Sequence, residues 1–475
     1  MRTAPSRRRA SKTRENSDVT ERDGVAPKIA IIGGGSYQWG PKIIQDVALS
    51  DDLRGSILTL HDIDPEALDD LYRWGEKMAA LAGADLVLEK TADLDEALSG
   101  ADFVVLCIST GGLDAMTHDL EIPARYGVVQ TVGDTVGPGG LFRALRNIPV
   151  VVDIARAMEE RCPHAVMLNL TNPMTTLTRA MSKTTQVRCI GLCHELFSTL
   201  AMLSGMFDVP EEALDAQVAG VNHFIWITRV AVRGKDVTRE AFRRIADGEA
   251  REIALDSAGD DPDPFINTWG FRTELCRIYG YLPAAGDRHL CEFLPGYLAD
   301  ERERERLDLR VTTIDVRREK LAASRGKVRR MIDGEEPIDL ERSREEISDI
   351  ISAMVTGKNS VNIANLPNEG QIRDLPAGAV VETYGAISGL GASGVAFGEL
   401  PEPIAALVHP HVFNQEMIVE AGLTGDRDLA FQAFVNDPLV SHHPESRNMF
   451  DEMFEAHSRY LPQFGESSGL RASYR

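Results

Sequence analysis

The sequence predicts an α/β protein with an N-terminal Rossmann-type doubly wound parallel sheet and a C-terminal α+β domain. Three observations predict it. The short apolar run Lys28-Ile-Ala-Ile-Ile32 passes directly into Gly33-Gly-Gly-Ser36 and then into a helical pattern, Pro41 to Leu49. From there to about residue 196, strand-like and helix-like stretches alternate, which is the signature of parallel βαβ units. Beyond residue 196 the alternation weakens into helical segments, one β-like run and loops rich in Gly and Pro.

Each element follows from its local pattern. Ile57-Leu-Thr-Leu-His-Asp-Ile-Asp64 supplies a second strand, Asp85–Glu89 a third, Asp93–Leu98 a short helix, and Ala101–Ile108 a central strand. Ser109-Thr-Gly-Gly112 breaks that strand where a doubly wound sheet meets the nicotinamide end of a dinucleotide. Leu141–Arg161 reads as a helix, Ala165–Leu170 as a strand, Pro173–Ser182 as a helix and Val187–Leu192 as a strand. Pro173 suits a first helical turn and Asn172 the N-cap before it. Phe224 to Val232 is the β-like run of the second half, and Glu301-Arg-Glu-Arg-Glu-Arg306 reads as a solvated helix face.

A chain of 475 residues is long for one core. The expected division is a disordered tail over 1–26, a dinucleotide-binding domain over 27–196, and an α+β domain over 197–475 for substrate, metal and oligomerisation. The tail carries Arg7-Arg8-Arg9 without the apolar block an export signal needs. A net charge of −22 argues against nucleic acid and against an anionic membrane surface. An anionic small substrate stays possible, because a pocket can be locally basic. Six cysteines without regular spacing read as reduced thiols, hence a cytoplasmic location. No apolar run is long enough to span a bilayer.

Strand, glycine turn and helix N-terminus form an anion site for a pyrophosphate, assigned to Gly33, Gly35 and Ser36. The third small residue of a G-x-G-x-x-G is displaced toward Gly40. Asp62, ending the second strand, can accept from both ribose hydroxyls, which favours NAD over NADP. Ser109 and Asn169 complete the cofactor-contacting set. Gly191-Leu-Cys-His-Glu195 and Gly220-Val-Asn-His-Phe224 bring a thiol, Cys193, and an imidazole, His223, to strand ends. Both are ordinary ligands for a first-row metal, although a buried free cysteine and a satisfied histidine would look the same.

In this order, the motifs resemble glycoside hydrolase family 4, the NAD- and metal-dependent glycosidases, over nearly all of the chain after the tail. The resembling stretches are Ile-Gly-Gly-Gly-Ser, Leu60-His-Asp-Ile-Asp64, Gly137-Pro-Gly-Gly140, Asn169-Leu-Thr-Asn-Pro-Met174, Cys193-His-Glu195 and Asn222-His223. Val361–Gly370, Leu375-Pro and Val380-Val-Glu382 belong with them. The resemblance implies a lactate/malate-dehydrogenase-like architecture and Cys193 and His223 as ligands of Mn2+ or another divalent metal. It implies Asn172 as a contact to sugar hydroxyls and His194 as the general acid of an α-acting member. Asp134 and Asp287 resemble acidic positions around the sugar site. The base at C2 lies between Asp287 and a tyrosine, Tyr279 or Tyr281.

Cys-His-Glu is most similar to members acting on α-linked hexuronates, notably α-galacturonides. Arg288 is the candidate partner for a uronate carboxylate, an ordinary ion pair with Asp287 or Glu292 being the alternative. His289 and Glu292 are candidates to line the same cleft. The implied reaction is C3 oxidation by NAD, loss of the C2 proton with departure of the aglycone, water addition and return of the hydride. The expected assembly is a homodimer or homotetramer. The rival reading is a 2-hydroxyacid dehydrogenase of the lactate or malate type on the same fold.

Overall fold

The computed structural model describes residues 26–258 and 263–465, so the expected tail lies outside the described residues except for Ala26. Six parallel strands form the first half: β1 (Lys28–Ile32), β2 (Ser56–His61), β3 (Leu86–Thr91), β4 (Phe103–Leu106), β5 (Val166–Asn169) and β6 (Arg188–Gly191). Their spatial order is 3-2-1-4-5-6, the doubly wound arrangement in which the first strand sits at the centre. Four consecutive residues of β1 and all of β4 and β5 are buried, because helices cover both faces.

The sheet does not stop at β6. It continues through β11 (Ser360–Pro367) and β12 (Val380–Ser388), then β7 (Leu214–Val221), β8 (Phe224–Val232) and β10 (Leu282–Pro283), all in antiparallel pairing. Short strands β9 (Lys235–Asp236) and β13 (Gly391–Gly394) pair at its margin. The bridge between the halves is one residue pair, Gly191 of β6 opposite Asn365 of β11. The weakening of alternation after residue 196 therefore marks a change from parallel to antiparallel pairing within one sheet.

Two apolar layers flank the parallel half. On one face the helix Gly137–Arg161 packs against Glu402–Thr424, Arg427–Asn436 and Ser446–His457, with Phe142, Phe434 and Phe450 in mutual ring contact. On the other, Gly40–Ala48 and Pro65–Ala82 cover β1 and β2, joined by Ile347–Thr356 from the second half. The helix Gly137–Arg161 starts one turn before the predicted Leu141, with Pro138 in its first turn. The helix after β5 starts at Met174, not Pro173, and no side chain caps it. Asn172 is therefore not its N-cap; it is the first residue of the cis Asn172-Pro173 bond. Glu301–Leu307 is a short helix with its charged residues largely in solvent, as its alternating charges predict. No helix among the described residues is long and apolar enough to cross a membrane.

Candidate active site

The cofactor cradle is built at the C-terminal ends of β1 and β2. Gly33 has φ +96°, and a Cβ there would lie 2.4 Å from the Cys107 carbonyl oxygen, so only glycine fits the turn. The N–H groups of Gly33 and Gly34 both donate to the His61 carbonyl, which locks the loop to the end of β2. Gly35 N–H donates to Asp62 Oδ2 at 2.8 Å, while Asp62 Oδ1 accepts from Asp64 N–H at 3.0 Å. Each oxygen keeps a free lone pair, which suits a ribose diol. Gly40 N–H closes the turn on the Ser36 carbonyl, and Gly40 packs against Leu71, where a Cβ would meet Cδ1 at 2.8 Å. The displaced third small residue thus serves helix packing. Ser109 is exposed just past β4. Asn169 is fully buried and its amide is occupied by the turn itself, accepting from Thr171 N–H and donating to Thr178 Oγ1 at 3.1 Å.

His223 stands at the tip of a two-residue hairpin, since Val221 of β7 pairs with Phe224 of β8. Its φ of +62° is unfavourable for a residue with a Cβ, a type of strain that gathers at functional sites. Thr135 Oγ1 lies 2.8 Å from His223 Nδ1 and donates to Asp134 Oδ1 at 2.7 Å. With that hydroxyl proton directed to Asp134, Nδ1 is the donor, and Nε2 carries the lone pair. Burial, and then the neighbouring His289, push the His223 imidazole down to about 3, so it stays neutral and ready to ligate. The His289 ring lies 3.8 Å from the His223 ring, and Asp134, His223 and His289 place donor atoms within 4.8 Å of one another. Burial opposes ionisation of Asp134, but His289, His223, Arg143 and Arg317 hold its carboxyl well below the usual range.

Cys193, half-buried just past β6, is outside that three-residue cluster. Its thiol is oriented by the side chain of Asn222, the residue before His223. Asn222 Nδ2 in turn donates to the buried Glu382 at 3.0 Å. Burial, then Glu382 and Glu195, raise the thiol well above its ordinary value, a direction that a bound cation reverses. Asn172 Oδ1 is buried without a partner, and its backbone carbonyl accepts from Arg143 Nε at 2.9 Å. His194 follows Cys193 at the rim, 49% exposed, with Nδ1 3.7 Å from Glu345 Oε2. Glu195 accepts from Gly286 N–H at 2.6 Å, tying the two stretches that carry the site.

Three expectations are corrected. Asp287 is not an available base: it is 2% exposed, accepts from Arg272 Nε at 3.0 Å, and accepts the N–H groups of Phe271 and Arg272. It caps the helix Gly270–Tyr279 and neutralises a fully buried arginine. Tyr279 and Tyr281 pack into apolar clusters, Tyr279 edge-on to Trp226, and neither joins the His223 cluster. Arg288 forms no ion pair with Asp287 or Glu292; it donates to Thr312 Oγ1 at 2.8 Å and lies over the Phe265 ring. Glu292 instead accepts from Val132 and Gly133 N–H and fixes the loop that carries Asp134, while burial pushes its carboxyl up to about 7. Thr135, Arg143 and Arg317 were missed, while Asn222 and Glu382 lay within the resembling stretches without a role. Asn222-His223 alone carried a local signal, as a polar pair between two apolar runs.

A dinucleotide cradle past the ends of the parallel strands and a cluster of metal-capable side chains around the β7–β8 hairpin define an NAD-type fold adapted to metal-assisted chemistry. The chain matches the family 4 glycosyl hydrolase model over residues 28–209 and the family 4 glycosyl hydrolase C-terminal domain over 218–440. It belongs to that family and is a glycoside hydrolase. It is 37% identical to an α-galacturonidase of Thermoanaerobacterium saccharolyticum over 91% of this chain and 96% of the relative. A Bacillus subtilis protein, lplD, described as a glucosidase, superposes with a TM-score of 0.83 at 35% identity, covering 90% of this chain and 99% of the other. A 6-phospho-α-glucosidase from gut microorganisms, in complex with NAD and Mn2+, shares the fold at 22% identity and a TM-score of 0.79, covering 93% and 100%.

Proposed function

We propose that this enzyme hydrolyses α-linked hexuronides, with an α-galacturonide as the favoured substrate, using NAD and a divalent transition metal, Mn2+ foremost. The observation that carries the reading is His223. A neutral imidazole is aimed by Thr135 into a group with Asp134 and His289. The 37% identity to an α-galacturonidase supports the sugar, and Arg288 supports its carboxylate.

Gly33, Gly35, Ser36, Asp62 and Ser109 are the cofactor-binding residues of this proposal, with Asp62 reading the ribose, whereas the buried Asn169 is used up in shaping its own turn. Cys193 and His223 are the proposed metal ligands, and Asp134 and His289 lie within reach of His223. An N, O and S donor set of this kind fits a divalent first-row ion. When bound, the two groups supply a reversible oxidation at C3 and Lewis-acid polarisation of the resulting ketone, which acidifies C2. Asn172 Oδ1 accepts from a sugar hydroxyl. His194, half in solvent at the rim, donates a proton to the departing aglycone oxygen. Six free cysteines support a reducing, cytoplasmic setting. The family resemblance supports a homodimer or homotetramer, which light scattering reads.

Hydrolysis of 4-nitrophenyl α-galacturonide in heavy water tests the proposal, with NAD and Mn2+ supplied. The expected product carries deuterium at C2 and no NADH accumulates. Hydrolysis without C2 deuterium refutes the elimination, and NADH rising in step with substrate loss returns the dehydrogenase reading.

A further inference from the structure

Three arginines surround Asp134, and two of them are left with unused donors. Arg317, on the helix Ile314–Asp333, donates from Nη2 to the Val132 carbonyl at 2.8 Å, yet its Nε is buried with no partner. Arg288 is pinned through Nη1 to Thr312 and stacked 4.3 Å from the Phe265 ring centroid, and its Nε is also buried with no partner. The Arg317 charge lies within electrostatic range of Arg288, and both arginines lie within range of Asp134 and Glu292. Among the described residues neither forms an ion pair with a carboxylate. Glu292 is directed elsewhere, with Oε1 on the backbone of Val132 and Gly133, and Thr135 donates to Asp134.

Burying two like charges side by side, each with a donor unsatisfied, is costly unless an anion completes the arrangement. The framework is rigid. Thr131 donates to the Arg288 carbonyl, Thr312 N–H donates to the Thr131 carbonyl at 2.9 Å, and Arg317 holds the Val132 carbonyl, so the loop carrying Asp134 is tied to both arginines. Arg143 is the third member, but its Nε is bonded to the Asn172 carbonyl, on the sugar-hydroxyl side.

We propose that Arg288 and Arg317 together form the receptor for the substrate's sugar carboxylate, and that Arg317 decides between acidic and neutral sugars. The proposal rests on the hexuronide reading above and extends it to a residue on a helix remote in sequence from the other site residues. The planar forks hold the C5 carboxylate while its ring hydroxyls face Asn172 and the metal donors. A neutral hexoside brings no anion to the two guanidinium groups, a mismatch of the kind that polar sites reject strongly.

The test compares the parent, Arg317→Gln and Arg317→Lys, each loaded with NAD and Mn2+, on 4-nitrophenyl α-galacturonide and α-galactoside. Calorimetric binding of free galacturonate and galactose runs in parallel. Arg317→Gln is expected to lower the ratio of kcat/KM on the uronide to that on the galactoside by about 100-fold or more. Arg317→Lys is expected to fall on the uronide as well, because it keeps the charge and loses the fork. Galacturonate binding should drop in both variants by more than galactose binding does. Equal losses on both substrates, or an unchanged preference for galacturonate over galactose, overturn the proposal. A parent that binds galacturonate through Arg317 but does not cleave the uronide refutes the hexuronide reading and leaves the receptor standing.

Discussion

Arg272 Nε lies 3.0 Å from Asp287 Oδ1, and both side chains are removed from solvent. Arg272 also donates to Thr199 Oγ1 at 3.0 Å, so the pair ties the helix Gly270–Tyr279 to Glu195–Phe207 and to the stretch bearing His289. Removing Asp287 strands a buried cation. Asp287→Ala should therefore cost about 3–5 kcal/mol and lower the melting temperature in calorimetry, with NAD binding lost alongside folding. An unchanged melting temperature with turnover abolished would restore Asp287 as a catalytic group.

In the proposed cradle Asp62 would link cofactor choice to loop geometry, because its oxygens also hold the N–H groups of Gly35 and Asp64. The parent should bind NAD more tightly than NADP, and Asp62→Ala should narrow that gap. Titration calorimetry with both nucleotides decides it, and tighter NADP binding by the parent refutes the assignment.

Thr135 fixes the tautomer of His223, so its effect should be visible in metal binding before activity. Thr135→Val should weaken Mn2+ about 10–100-fold, and His223→Ala and Cys193→Ser should weaken it more. The paramagnetic resonance signal of free Mn2+ during titration measures this directly. Chelation should abolish turnover and added Mn2+ should restore it; full activity of Cys193→Ser in chelator would sink the site.

His194 sits at the rim rather than within the donor cluster. His194→Ala should slow substrates with poor leaving groups far more than 4-nitrophenyl substrates, since only the former need a proton. A uniform loss across a leaving-group series argues against the acid role.

Glu346 carries a pH signature remote from turnover. Burial raises its carboxyl to about 7, with Asn362 Nδ2 donating to Oε1 at 3.0 Å. Between the unfolded value near 4.5 and about 7 the folded chain binds more protons than the unfolded one, so stability falls as pH rises through that window. Glu346→Gln keeps an acceptor for Asn362 and removes the titration. Relative to the parent it should gain on the order of 2 kcal/mol at pH 8 over pH 5, after discounting for partial exposure, as read from melting curves. An identical pH slope in both proteins contradicts this.

The sequence by itself determined the parallel half and the chemistry's raw materials. Apolar runs ending in glycine turns or acidic residues are local, and β1, β2 and the strand ends carrying Gly33, Asp62, Ser109, Asn172 and Cys193 follow from them. Phe224–Val232 was also legible, because its aromatic and β-branched residues favour a strand over a helix. What only the tertiary structure decided is which polar groups are free. Asp287 looks like a base and is occupied by Arg272, forty-odd residues from any site motif except its own; Tyr281 looks like a base and faces apolar packing. Arg317 reads as one of many arginines on a charged helix until its Nε is found buried beside Arg288. Backbone patterns arise from neighbours in sequence, whereas the availability of a donor or a carboxylate depends on what burial brings against it from elsewhere in the chain.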